Sequence, residues 1–156
     1  MKAIVLTAPG GVECLQWQEI PAPELPSPHH ACIRIHAAGL NPVDYKMRNR
    51  GGTRPESLPI VLGCDGAGIV EHVGEAVRHF QPGDEVYWMN GGIGGAEPGN
   101  YAEYTVVHED YLARKPANWP MHEAAALPLA WITAWEALVD RAQLARGQTV
   151  LVIGGA

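Results

Sequence analysis

The sequence predicts a mainly β domain of short strands, a small barrel or sandwich, followed by helices and one last strand of the fully buried type. Three observations carry this. Fifteen of the eighteen Gly and twelve of the thirteen Pro fall in the first 120 of the 156 residues and punctuate short strand-like runs there. From Met121 the chain turns rich in Ala and Leu and stays free of Gly until Gly147. It then closes on QTVLVIGGA (148–156), a continuous apolar run entering two glycines.

Taken in order, Met1–Thr7 is a short apolar run, and Cys14–Ile20 alternates with Leu15 and Trp17 on one face. PAPELPSPHH (21–30) has too much Pro for a central strand and reads as a solvated loop that includes His29 and His30. Ala31–His36 alternates again, with Ile33 and Ile35 on one face and Cys32, Arg34 and His36 on the other. NPVDYKMRNRGG (41–52) suggests a single helical turn, with Pro at its start and glycines after it. Ile60–Leu62 and Ala67–Val73 read as strands around a Gly-rich bend. Further strands fall in 83–89 and 101–116, separated by the turn GGIGGAEPGN. Two helices follow, about 121–127 and 129–140, broken at Pro128.

Composition narrows the function. The chain is long enough to bury a core without staples. Its 47% hydrophobic and 18% charged residues are those of a globular protein. A net charge of −6 with no basic block argues against nucleic acid or an anionic membrane as partner. No apolar stretch reaches the length of a membrane span, and the start lacks a cleavage-type segment, so a cytoplasmic setting is expected. Cysteines at 14, 32 and 64 form no disulfide framework, and the seven histidines never fall at i, i+4 on a predicted helix.

Several segments resemble the zinc-free, quinone-oxidoreductase-like branch of the medium-chain dehydrogenase/reductase superfamily. AAGLNPVDYKMRNRG (37–51) resembles its G-x-N-P-x-D-x-K-x-R segment, and LPIVLGCDGAGIVEHVGEAVRHFQPGDEVY (58–87) its glycine-rich signature ending in G-D-x-V. GNYAEYTVV is similar to the strand that follows. EAAALPLAWITAWEAL is similar to the helical crossover, and QTVLVIGGA to the opening of the Rossmann unit. The resemblance implies a GroES-like, partly open β-barrel over residues 1–120, a helical crossover over 121–147 and the first strand of a truncated nucleotide-binding domain over 148–156.

It also implies a reaction: reduction of a quinone or α,β-unsaturated carbonyl by NADPH or NADH, without zinc. In the zinc-dependent sister branch a Cys stands where this chain has Asn41, and the His of a G-H-E motif falls on Cys64, beside Asp65. Asn41 is a poor zinc ligand, and one thiol with one carboxylate does not make a three-ligand site. Cys64 then reads as a small buried hydrophobe.

By resemblance Asn41 lies beside the nicotinamide, although an Asx-type turn before Pro42 would equally explain it. Thr133 matches a threonine that meets the carboxamide; the alternative is a mid-helix hydroxyl bonding its own backbone. Gly154 and Gly155 match the phosphate turn, and Tyr45 is a candidate proton donor. Asp44 and Lys46 are weaker candidates, and Tyr87 and Trp88 would wall a pocket or pack in the core. The expected partner is a small carbonyl or quinone, with a homo-oligomer as the assembly. Residues 1–156 alone are expected not to hold a dinucleotide tightly, since the helix N-terminus that follows the glycine turn lies past Ala156. A non-catalytic GroES-like binding or assembly module, and a zinc alcohol dehydrogenase, are the alternatives.

Overall fold

The computed structural model describes residues 1–94 and 97–154. Among the described residues eight strands and one nine-residue helix precede the helical crossover. In chain order they are β1 (Lys2–Leu6), β2 (Leu15–Glu19), β3 (His30–Ala38), helix α1 (Pro42–Arg50), β4 (Ile60–Val61), β5 (Asp65–Val73), β6 (Glu85–Met89), β7 (Tyr104–His108) and β8 (Leu112–Arg114). Helices α2 (Met121–Ala125) and α3 (Pro128–Trp135) follow, and α3 continues as a π-helical segment, Glu136–Arg141.

All strand pairs are antiparallel, in two sheets that do not close on each other. One runs β2-β1-β4, the other β7-β3-β5-β6-β8. A lone bridge, Ala3 to Ala102, stitches the first sheet to the loop before β7. The partly open barrel expected from the resemblance is therefore present. Its main core is one face of the five-stranded sheet, where Ile33, Val70, Val86, Trp88 and Val107 are packed away from water. On the opposite face Ala124 and Ala125 of α2 lie against Ala67, flanked by Ala37, Tyr87 and Trp119. Small residues there let the helix approach the sheet closely, which sets the position of everything after it.

Four expectations change. Helix α1 has nine residues rather than one turn. Pro42 occupies its first position, where the missing N–H costs nothing, and Gly51 ends it in the left-handed region at φ 80°. His30 is not part of a solvated loop: it opens β3 opposite His108, is buried, and hydrogen-bonds Ser27 through Nδ1 at 2.8 Å. The two helices expected on either side of Pro128 are present, but Pro128 is itself the first residue of α3 rather than the break before it. The strand expected at Val150–Ile153 does not form, and Gln148–Gly154 carries no regular structure beyond a turn. A strand exists only by pairing, and no strand among the described residues lies beside it to supply the ladder.

Candidate active site

The end of β3, the start of α1, the start of β5 and the start of α3 meet at one buried carboxylate. Asp65 opens β5 and has 0% of its surface exposed. Its Oδ2 accepts a hydrogen bond from Asn41 Nδ2 at 2.8 Å, and its Oδ1 from the backbone N–H of Leu129 at 3.0 Å. Its backbone carbonyl accepts from Gly39 N–H at 3.1 Å. Gly39 has to be glycine: a Cβ there would stand 2.5 Å from the carbonyl oxygen of Ala125 and 2.9 Å from Asp65 Cβ. The missing side chain lets β3, α2 and β5 converge.

Asn41 caps α1 from an extended conformation, φ −128°, ψ 154°. Its backbone N–H donates to Asp44 Oδ2 at 2.7 Å, the reciprocal half of a capping box. That same oxygen accepts the Tyr101 hydroxyl at 2.7 Å. Asp44 is buried, and its Oδ1 has no partner among the described residues. Tyr101 in turn fills the space where Gly63 would carry a Cβ, whose position lies 2.6 Å from the ring. Gly63 also needs its freedom for φ 102°.

Burial dominates the electrostatics. It raises the Asp65 carboxyl above the ordinary range, against the downward pull of the Asn41 and Leu129 hydrogen bonds, and Asp44 adds to the rise. Burial, then the negative charges of Asp44 and Asp65, push the Cys64 thiol up to about 12. Tyr101 is driven above the normal phenol range by burial first and by its bond to Asp44 second.

The sequence candidates fall in different places. Asn41 sits inside the network, and Cys64 is buried beside it, as a small hydrophobe would be. Tyr45 is half exposed on α1 and, among the described residues, bonds to no member of the cluster; Lys46 is exposed. Thr133 is exposed on α3, and its hydroxyl donates to the Leu129 carbonyl at 2.7 Å, the back-bonded alternative. Gly154 is exposed in a turn at φ 73°, and Gly155 lies outside the described residues. Trp88 belongs to the core, its indole N–H bonded to Asn100 Oδ1 at 3.2 Å. Tyr87 does line a cavity of about 390 Å³, with Tyr111, Trp119, Leu127, Trp131 and Ile132.

Sequence reasoning missed Asp65 and Tyr101 as site residues and undervalued Asp44. No local spacing announces them, because each acts through a partner 24 to 64 positions away. Among the described residues no group of three or more His, Cys, Asp or Glu side chains is disposed to hold a metal ion. No helix in them is long and apolar enough to cross a membrane.

Residues 27–117 match the family model of the alcohol dehydrogenase GroES-like domain. Over its full length the chain is 43% identical to an NADPH-dependent alkenal/one oxidoreductase, chloroplastic, of Arabidopsis thaliana. It is 42% identical, again over its full length, to a 2-methylene-furan-3-one reductase of Solanum lycopersicum. This chain belongs to the quinone oxidoreductase-like branch of the medium-chain dehydrogenases/reductases. Among solved structures this medium-chain fold superposes on Escherichia coli quinone oxidoreductase complexed with NADPH. The TM-score is 0.78 at 32% identity, over 88% of this chain and 40% of that one. The chain spans 41% of the length of each plant relative.

Proposed function

We propose that this chain forms the catalytic-domain portion of an NADPH-dependent reductase of quinones or α,β-unsaturated carbonyls, working without zinc. The observation that carries the reading is the Asn41 amide, fixed by Asp65 at the start of α3 in a chain similar to reductases of both substrate kinds. The residues suit the nicotinamide end of the cofactor. The Thr133 hydroxyl spends its proton on Leu129, which leaves its lone pairs free to accept from a carboxamide. Gly154, already in a left-handed turn, and Gly155 are assigned to the phosphate side.

When bound, the reduced nicotinamide supplies the hydride. As hydride reaches the β-carbon of an enone, the electron pair of the double bond moves toward the carbonyl oxygen, where negative charge collects. Asn41 Nδ2 carries two hydrogens and gives one to Asp65; the second is a donor for that oxygen. Because Asp65 holds the amide in place before the reaction, little reorganisation is needed as the charge develops. A proton from Tyr45 or water then completes the saturated carbonyl. Zinc independence is supported by Asn41, a poor zinc ligand, and Cys64 standing at the ligand positions of the sister branch. Three free cysteines support a reducing, cytoplasmic setting, and a homo-oligomer is the proposed assembly.

The test is NADPH oxidation by a protein carrying this chain together with its nucleotide-binding region. A quinone or an enone should be reduced, with no loss of rate after exhaustive chelation and no stoichiometric zinc by elemental analysis. One tightly held zinc per chain, or turnover only of simple alcohols, would overturn the reading. Residues 1–156 alone should bind NADPH too weakly for calorimetry to detect at micromolar concentration.

A further inference from the structure

Asp65 is the most deeply buried charged residue of the site, yet no step of the proposed reaction consumes it. Its contacts draw on three stretches of chain: the end of β3 through Gly39, the cap of α1 through Asn41, and the first turn of α3 through Leu129. An ionised carboxylate accepts at both oxygens and donates at neither, and here each oxygen meets one N–H. Leu129 continues the connection, since its carbonyl accepts the Thr133 hydroxyl. A hydrogen-bonded path therefore runs from the Asn41 amide, through Asp65 and the first turn of α3, to Thr133. The negative charge also lies at the N-terminal turn of α3, where the helix favours it.

We propose that Asp65 is a positioning residue, which fixes the orientation of the Asn41 amide relative to the Thr133 hydroxyl. The proposal rests on the functional reading above for what those two groups face. An amide in place of the carboxylate cannot satisfy both donors. With its oxygen on Leu129 it turns an NH₂ toward Asn41, and the Asn41 amide must rotate to meet it with its own oxygen. The donor meant for the substrate oxygen is then misdirected, although the fold keeps its hydrogen bond.

Three variants in the longer protein separate positioning from mere support: Asp65→Asn, Asn41→Asp and the double variant. The double variant reverses the direction of the bond, with the residue at 65 donating to a carboxylate at 41, while Leu129 keeps its acceptor. Asp65→Asn should lower kcat for enone reduction at least tenfold. The double variant should recover melting temperature and slow amide exchange at Leu129 but leave kcat low, since no side-chain N–H remains at 41. If Asp65→Asn keeps kcat within twofold, or if the double variant restores kcat together with stability, the proposal is wrong. Should Asp65→Asn fail to fold, Asp65→Glu takes its place, and a kcat kept within twofold there with the Asn41 side-chain NH₂ resonances displaced overturns the proposal. Should the unaltered protein reduce no quinone or enone, the functional reading fails by itself. NMR then decides on Asp65: its replacement must shift both the Asn41 side-chain NH₂ and the Thr133 resonances, and an unmoved pair would refute the role.

Discussion

At Cys64, removal from water also removes reactivity. The thiolate is the nucleophile, and a thiol pushed up to about 12 by burial stays protonated at neutral pH. A maleimide should therefore label Cys14, which is partly exposed, well before Cys64 in the folded chain, and Cys64 should react only after urea is added. Mass spectrometry of digested samples checks this, and rapid modification of Cys64 in the native protein would contradict the burial. The character of this residue was legible in the sequence, because a lone cysteine among small residues with no metal-type partner is by default an apolar filler. Its neighbour Asp65 was not legible. What makes an acidic residue structural is the set of donors that surrounds it, and two of these, the Asn41 amide and the Leu129 N–H, come from distant parts of the chain. Thr133 illustrates a third case: both of its readings were visible, and the structure shows the internal bond on an exposed residue.

Helix α1 exists because its two ends are satisfied, since its sequence has no clear apolar stripe. VDYKMRNR has few residues to bury, and among the residues of α1 only Asp44 is buried. That is why the segment suggested one turn where there are nine helical residues: Asn41, Pro42 and Gly51 are local signals that mark the ends, but the anchoring comes from Tyr101, 57 positions beyond Asp44. Asp44→Ala removes the acceptor of both the Asn41 N–H and the Tyr101 hydroxyl, leaving two donors of a partly buried cluster unpaired. A loss of about 1–3 kcal/mol is expected in urea unfolding. Tyr101→Phe, which leaves Asp44 bonded to Asn41, should cost less, about 1 kcal/mol. Combining the two should give less than the sum, because both remove the same bond. Strict additivity would mean that the Tyr101–Asp44 bond contributes nothing. The β elements were easier to read than the helices, because Gly and Pro mark their ends directly. The last expected strand failed because pairing depends on a neighbour, which residues 148–156 cannot specify by themselves.

Across the whole molecule, large apolar side chains stand exposed on α3 and in the tail. Trp131 is 62% exposed and Trp135 54%, and in the tail Leu151 and Ile153 reach 84% and 89%. Burying one such side chain fully is worth roughly 1.5–3 kcal/mol, so several together favour association of the isolated 156-residue chain. Light scattering should show a mass that rises with concentration, and replacing Val150 and Val152 with Lys should lower it toward that of a single chain. A concentration-independent monomer before any replacement would count against this. The bonds of Asp65 also bear on how the chain acquires its site in time. They join residues 24 and 64 positions apart, and closing the longer loop costs more chain entropy than closing the shorter one. During synthesis the sheet can pair as soon as β8 has emerged, but the carboxylate lacks one of its donors until Leu129 follows. A nascent chain halted between Arg114 and Leu129 would hold a formed barrel around an unfinished acceptor, so the last part of the site to become native is the one that joins the barrel to α3.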